Sequence, residues 1–247
     1  MRIDILTLFP EMCNAVTNES IIGRAQKNGK VEIVCTNIRD FANNKHNKVD
    51  DTPYGGGMGM VMAADPIYNA YKSLYNEGGE KPYFIYMSPK GKTFTQQKAV
   101  ELSKKDRIVL LCGHYEGVDE RVIDELADEE ISIGDYVLTG GELPALVVAD
   151  AICRMLPGVL SDDVCFTEES HYSGLLEYPQ YTKPYKWHSK TVPDVLMSGH
   201  HANIIKWRRL KSLETTFLKR PDLLDSANLS DDEKKYIEEL SLDKHNI

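Results

Sequence analysis

Short apolar segments alternate with longer amphipathic ones over about the first 160 residues, and no other feature of the sequence constrains the fold as much. Runs rich in aliphatic and β-branched residues predict strands at 2–8, 31–35, 83–87, 107–112 and 130–133. Apolar residues at helical spacing predict helices at 20–28, 65–76, 95–104, 119–127 and 142–156. Strands that alternate with helices in this way favour an α/β fold, with a mainly parallel sheet and flanking helices.

The pattern changes after Pro157. Residues 161–173 are polar and poor in large aliphatic side chains, which is typical of a linker or a mobile loop. Helices are predicted again at 201–218 and at 231–240, where Ser230 and Glu233 form a capping box. We therefore expect an α/β domain at 1–160, a flexible linker at 161–173 and a small helical domain at 174–247.

The formal net charge of −9 by itself argues against a nucleic-acid partner. Between residues 170 and 220, however, nine Lys and Arg face three Asp and Glu, a local balance of +6 that leaves −15 for the rest of the chain. This segment fits a surface that binds a phosphate backbone, and it fits equally a solvated helical face.

The five cysteines are odd in number and form no CxxC pair, which favours the reduced thiols of a cytoplasmic protein over disulfides or a zinc site. No apolar run approaches the roughly 18 residues that span a bilayer. The apolar N-terminal stretch ends at Pro10 without a cleavage site, so it is not a signal peptide. We expect a cytoplasmic protein without a membrane partner or a dedicated metal site.

Three segments rich in Gly, Pro and Tyr follow predicted strands, namely YMSPKG at 86–91, CGHYEG at 112–117 and ISIGDYVLTGGELP at 131–144. Each alone is typical of a plain strand-to-helix turn. Because ligands of α/β sheets bind outside the carboxyl ends of the strands, the three together predict one shared pocket. A further run, PYGGGMGM at 53–60, matches neither a dinucleotide fingerprint nor a P-loop, and alone it could be a flexible turn.

These four motifs, followed by SGHHANIIKWR at 198–208, resemble the bacterial tRNA (guanine-N1)-methyltransferases in sequence and in order, from residue 1 to about 209. The resemblance implies a SPOUT-type trefoil-knotted sheet and a homodimer whose active sites use both chains. It also implies S-adenosylmethionine as the methyl donor and guanosine 37 of tRNA, beside the anticodon, as the acceptor. Magnesium could assist without a dedicated site.

The predicted donor-binding residues share the three segments at the strand ends. They are Tyr86, Ser88, Pro89, Gly113, Tyr115, Glu116, Ile133, Gly134, Asp135, Tyr136, Val137, Leu138, Gly140, Gly141 and Pro144. The chain departs from the family pattern at a few positions. These are Glu169 in place of the aspartate proposed as general base, His114 for arginine, Met58 for proline, Lys90 for glutamine and His200 for asparagine.

Guanine N1 must lose a proton before it can attack a methyl group, and a carboxylate within reach can accept that proton. We hypothesise that Glu169 is this base and that Arg154 stabilises the charge that grows on guanine O6. Glu116 is the alternative base, or it could hold the positive charge of the donor. Arg154 could equally form a structural salt bridge, because it ends an otherwise apolar helix.

The basic region 183–220, with Trp187 and Trp207, is assigned to tRNA contact, although Trp207 also fits a helix core. Two other functions fit the sequence less well. A non-catalytic RNA-binding homologue should have lost Glu169, Arg154 or the glycines, and all of them are present. A nucleotide-dependent oxidoreductase should carry the dinucleotide fingerprint, which is missing.

Overall fold

The computed structural model describes residues 1–76, 79–160, 169–172 and 174–244. The chain divides into two compact units, Met1–Asp163 and Val164–Ile247. Most of the predicted linker, residues 161–168 and 173, lies outside the described residues. In the part that the structure describes, no helix is both long enough and apolar enough to cross a membrane.

The first unit is an α/β layer structure. Its elements in chain order are β1 (Arg2–Thr7), α1 (Pro10–Thr17), α2 (Ser20–Lys27), β2 (Glu32–Asn37), β3 (Asp50–Asp51), β4 (Val61–Met62), α3 (Ala64–Lys72), β5 (Tyr83–Thr93), α4 (Gln96–Leu102), β6 (Arg107–Cys112), α5 (Glu120–Leu126), β7 (Glu129–Ser132) and α6 (Glu142–Arg154). A short 3-10 helix, Ile38–Phe41, follows β2. The five long strands pair in parallel in the order β2-β1-β6-β5-β7. The predicted α/β fold with a mainly parallel sheet is confirmed.

Helices cover both faces of the sheet, which explains the near-continuous apolar strands. In β6, Ile108 and Leu110 belong to a core shared with α1, α2 and α6. Val109 and Leu111, the alternate residues, belong to the core on the other face with α3 and α5. Successive side chains of a strand point to opposite faces, so a strand buried on both sides must be apolar throughout.

Helix α1 was not predicted. It has only eight residues, and its first is Pro10, whose fixed φ and missing N–H suit the first position of a helix. Strand β5 is longer than predicted, since it continues past Met87 to Thr93. Met87 and Lys92 both pair with Ile131, so the residues between them bulge out of the sheet.

The second unit contains β8 (Lys186–Trp187), β9 (Lys190–Thr191), α7 (Asp194–Met197), α8 (His201–Lys219), a short 3-10 helix (Pro221–Asp225) and α9 (Asp231–Lys244). The predicted capping box is present, because the Ser230 N–H donates to Glu233 Oε2 at 2.8 Å and the Glu233 N–H donates to Ser230 Oγ at 3.3 Å. Glu233 also accepts from Arg209 Nε at 2.6 Å, which ties α9 to α8. The short hairpin of β8 and β9 was not predicted.

Candidate functional site

The three predicted loops surround a single cavity of about 370 Å³ at the bulge of β5 and the carboxyl ends of β6 and β7. We call them the Ser88 loop (residues 86–91), the His114 loop (112–117) and the Gly140 loop (131–144). Every predicted donor-binding residue lines this cavity except Asp135. The volume falls within the range of small-molecule sites, and all of the lining residues belong to the first unit.

The Ser88 loop provides one wall through Tyr86, which is 7% exposed. Burial raises the pKa of Tyr86 to about 12, so its hydroxyl stays neutral and can donate a hydrogen bond at neutral pH. A Cβ atom at Gly113 would lie 2.9 Å from that hydroxyl oxygen, closer than real Cβ contacts. Glycine at position 113 therefore lets the second wall approach the first.

The His114 loop turns sharply at Tyr115, whose φ of +59° is uncommon for a residue other than glycine. The Tyr115 hydroxyl accepts from Arg39 Nη2 at 3.4 Å. The N–H of Glu116 donates to the carbonyl of Met60 at 3.0 Å, so the glycine-rich run 53–60 is joined to this loop. This strained turn is supported from two sides.

The Gly140 loop closes the cavity against the His114 loop. The Gly141 N–H donates to the Gly113 carbonyl at 2.8 Å, and His114 and Gly140 form an isolated antiparallel bridge. A Cβ at Gly141 would lie 2.7 Å from the Cα of Cys112. The two loops therefore meet backbone to backbone, which requires glycine at position 141.

The charges around the cavity favour a cationic ligand. Lys90 and Glu120 form an exposed ion pair at 3.1 Å and largely cancel each other. Among the described residues, Glu116 has no cationic partner and leaves a negative charge beside the cavity. Sequence reasoning did not assign Lys90 or Glu120 to the site, although Lys90 lies in one of its motifs. Within the same described ranges, no group of three His, Cys, Asp or Glu could hold a metal ion.

The glycine-rich run 53–60 lies next to the cavity and is open to solvent. Gly55, Gly56, Gly57 and Gly59 have positive φ, and a Cβ at Gly59 would lie 2.4 Å from Cγ of Glu116. The side chains of Tyr54 and Met58 are almost wholly exposed. An aromatic ring presented in this way could stack on an unpaired nucleobase.

Of the two predicted catalytic residues, only Arg154 belongs to the same unit as the cavity. Arg154 ends α6, whereas Pro144 near the start of the same helix lines the cavity, so ten residues and about 15 Å of helix separate them. Arg154 does not line the cavity of its own chain. Glu169 is half-buried and belongs to the second unit. Within the first unit, the structure therefore groups the predicted donor-binding residues but does not place Arg154 with them.

The second unit presents an exposed basic and aromatic hairpin around β8 and β9. Lys183, Lys186 and Lys190 are exposed, and Trp187 is 64% exposed. On α8, by contrast, Lys211 pairs with Glu214, and the guanidinium of Arg208 lies 4.8 Å from the ring centroid of Tyr178. Trp207 is half-buried, with its ring 6.4 Å from that of Tyr181. The hairpin is thus the more open cationic surface.

Comparison with known proteins gives a consistent result. The family described as tRNA (Guanine-1)-methyltransferase TrmD matches residues 1–226. A protein named tRNA (guanine-N(1)-)-methyltransferase from Ruminiclostridium cellulolyticum is 60% identical over 225 residues, covering 91% of this chain and 97% of that protein. Proteins of the same name from Alkaliphilus oremlandii and Staphylococcus aureus are 55% and 53% identical, covering 99% and 96% of this chain and 100% and 96% of their own lengths.

Proposed function

This chain belongs to the tRNA (guanine-N1)-methyltransferase family and methylates N1 of guanine in tRNA, and we propose that S-adenosylmethionine is the donor and guanosine 37 the acceptor. The observation that carries the donor proposal is the cavity at the bulge of β5 and the ends of β6 and β7. Its glycines let a ligand approach the backbone closely, where N–H and C=O groups can recognise an adenine edge. The carboxylate of Glu116 suits a sulfonium cation. Magnesium stays a prediction that no group of described residues supports.

In the proposed mechanism the donor supplies an already activated methyl group. The chain then has to orient guanine and remove its N1 proton. We assign proton removal to the carboxylate of Glu169, and the guanidinium of Arg154 stabilises the negative charge that develops on O6. Asp50 of β3 and the run 53–60 shape the guanine site beside the cavity. Because N1 lies on the pairing edge, the base must be splayed out of its loop.

The proposed enzyme is a homodimer whose sites combine residues of both chains. The separation of Arg154 from the cavity of its own chain supports this arrangement. The surface of the first unit supports it too, because Met12 and Val16 of α1 and Leu143 and Val147 of α6 are each nearly half exposed. An apolar surface formed by two helices that pack together is typical of a subunit interface.

We also propose that the first unit contains the trefoil knot implied by the resemblance. Knots are nearly absent from proteins, so the proposal needs segments whose backbones lie close together. Two such close approaches support it. Gly141 lies against Cys112, and a Cβ at Gly91 would lie 2.4 Å from the carbonyl carbon of Glu130.

The second unit is proposed to be the tRNA-binding domain, with the β8–β9 hairpin as a contact. Replacing both Lys186 and Lys190 with alanine should weaken tRNA binding and lower the slope of log K against log salt by about 2, one for each lost phosphate contact. Binding titrations at several salt concentrations measure this. Lys234→Ala in α9, where Lys234 pairs with Asp231, is the matched control. An unchanged slope in the double variant would contradict the assignment.

The acceptor position is tested by tritium transfer from labelled S-adenosylmethionine to two tRNA transcripts that carry guanosine or adenosine at position 37. We expect label in the guanosine transcript and only background in the other, because adenine N1 carries no proton to remove and presents no O6. Digestion of the labelled tRNA should release 1-methylguanosine. Equal labelling of both transcripts would refute position 37 as the acceptor.

A further inference from the structure

A buried carboxylate lies directly behind the cavity. Glu142, the first residue of α6, is 4% exposed, and its Oε1 accepts from Thr7 Oγ1 at 2.8 Å. Among the described residues it has no ion pair. The start of a helix favours a carboxylate, but one neutral hydrogen bond does not offset the cost of burying a charge. We therefore expect Glu142 to accept a second hydrogen bond from another group.

A buried nitrogen faces the same place. Nδ1 of His114 is inaccessible to solvent and has no hydrogen-bond partner among the residues that the structure describes. The imidazole is held by rings on two sides, with centroid distances of 5.1 Å to Phe9 and 4.9 Å to Tyr115. The Phe9 N–H donates to Thr7 Oγ1, the same hydroxyl that donates to Glu142. The contacts from Glu142 through Thr7 and Phe9 thus lead back to His114.

Gly140 brings the two groups together. A Cβ at Gly140 would lie 2.4 Å from Glu142 Oε2 and 2.8 Å from His114 Nδ1. The two atoms are therefore at most 5.2 Å apart, the sum of those two distances. A hydrogen bond forms when the two atoms approach to about 3 Å, which a rotation of either side chain within that upper limit achieves.

We propose that His114 is a positioning residue of the donor site, whose Nδ1–H donates a hydrogen bond to the Glu142 carboxylate and so holds the His114 loop against the Gly140 loop. The inference rests on the proposed function, because it concerns the same cavity. His114 and Gly140 both line that cavity, whereas Glu142 lies behind it. Loss of this hydrogen bond lets the two walls of the cavity separate and weakens the binding of S-adenosylmethionine. It removes no group that acts on tRNA.

Three substitutions of His114 distinguish the proposed hydrogen bond from simple packing. The side-chain amide nitrogen of asparagine falls near the position of Nδ1, whereas that of glutamine falls near Nε2. We expect His114→Asn to keep S-adenosylmethionine affinity within about twofold of the original chain. His114→Gln and His114→Leu should each lose about tenfold, the equivalent of one net hydrogen bond. The KM for tRNA should stay the same in all three.

Calorimetry with S-adenosylmethionine measures the affinities, and amide exchange at Gly141 reports the loop contact without any ligand, since that N–H bonds to the Gly113 carbonyl. Exchange should speed up in the Gln and Leu variants but not in the Asn variant. Thr17→Val, which removes a buried hydroxyl that does not line the cavity, is the control.

Equal behaviour of the Asn and Leu variants in exchange and affinity would overturn the inference. If the original chain fails to bind S-adenosylmethionine, the proposed function fails instead. Exchange at Gly141 then still decides whether His114 holds the loops together.

Discussion

Replacing Glu169 with glutamine is expected to reduce methyl transfer by about 10²- to 10⁴-fold, the usual contribution of a general base. The amide cannot accept the N1 proton, although it is nearly the same size as the carboxylate. Donor affinity should stay within about twofold, because Glu169 belongs to the second unit and the donor cavity is lined by the first. Single-turnover transfer to tRNA and calorimetry with S-adenosylmethionine measure the two quantities.

Two controls accompany that substitution. Glu177→Gln removes another half-buried carboxylate of the same unit, eight positions along, and should leave turnover unchanged. Glu169→Asp restores the side chain usual in the family, and it shows whether one methylene matters to the geometry. Near-normal turnover of Glu169→Gln would remove Glu169 from the mechanism and leave Glu116 as the candidate base.

We expect Gly141→Ala to destabilise the donor-bound form by about 2 kcal/mol, which corresponds to a loss of donor affinity of roughly 30-fold. The φ of Gly141 is −81°, which alanine adopts easily, so the effect is purely steric. The added Cβ would lie 2.7 Å from the Cα of Cys112 and 2.9 Å from the backbone nitrogen of Gly113. Backbone atoms cannot move aside as a side chain can, so the His114 and Gly140 loops must separate.

Gly29→Ala is the matched control for Gly141→Ala. Gly29 has a φ of +67°, and a Cβ there would meet nothing within 4 Å. Its alanine variant should lose about 1 kcal/mol of unfolding free energy through backbone strain, while donor affinity stays the same. Thermal unfolding and calorimetry on both variants separate a local effect on the cavity from a general loss of stability. Similar donor affinities in the two variants would contradict the role of Gly141.

The strands and most helices of the first unit could be predicted because burial on two faces leaves a strong pattern of apolar residues. Strand β6 was predicted at its observed bounds for this reason. Helix α1 was missed because eight residues that begin with proline carry too short a pattern. The extension of β5 was missed because Ser88, Pro89, Lys90 and Gly91 are typical of a loop. Only the pairing of Lys92 with Ile131 shows that the strand resumes after them.

The candidate site was predictable as a set of loops but not as a set of contacts. The carboxyl ends of parallel strands meet at one edge, so three motifs at strand ends sufficed to place the cavity. Nothing in the sequence marks Glu142 as buried, because glutamate at the start of a helix is usually exposed. The approach of His114 to Glu142 depends on Gly140, which lies in a different loop from His114. No local sequence pattern indicates this approach.

By itself, the sequence determined the parallel sheet, the three loops and, through the resemblance, the class of reaction. These follow from local patterning and from motifs that are short and continuous in the chain. The tertiary structure alone decided which loops touch, that Arg154 lies about 15 Å along its helix from Pro144, and that Glu142 and His114 face each other across Gly140. Such contacts join residues distant in sequence, and the packing of the whole unit sets them rather than any single segment.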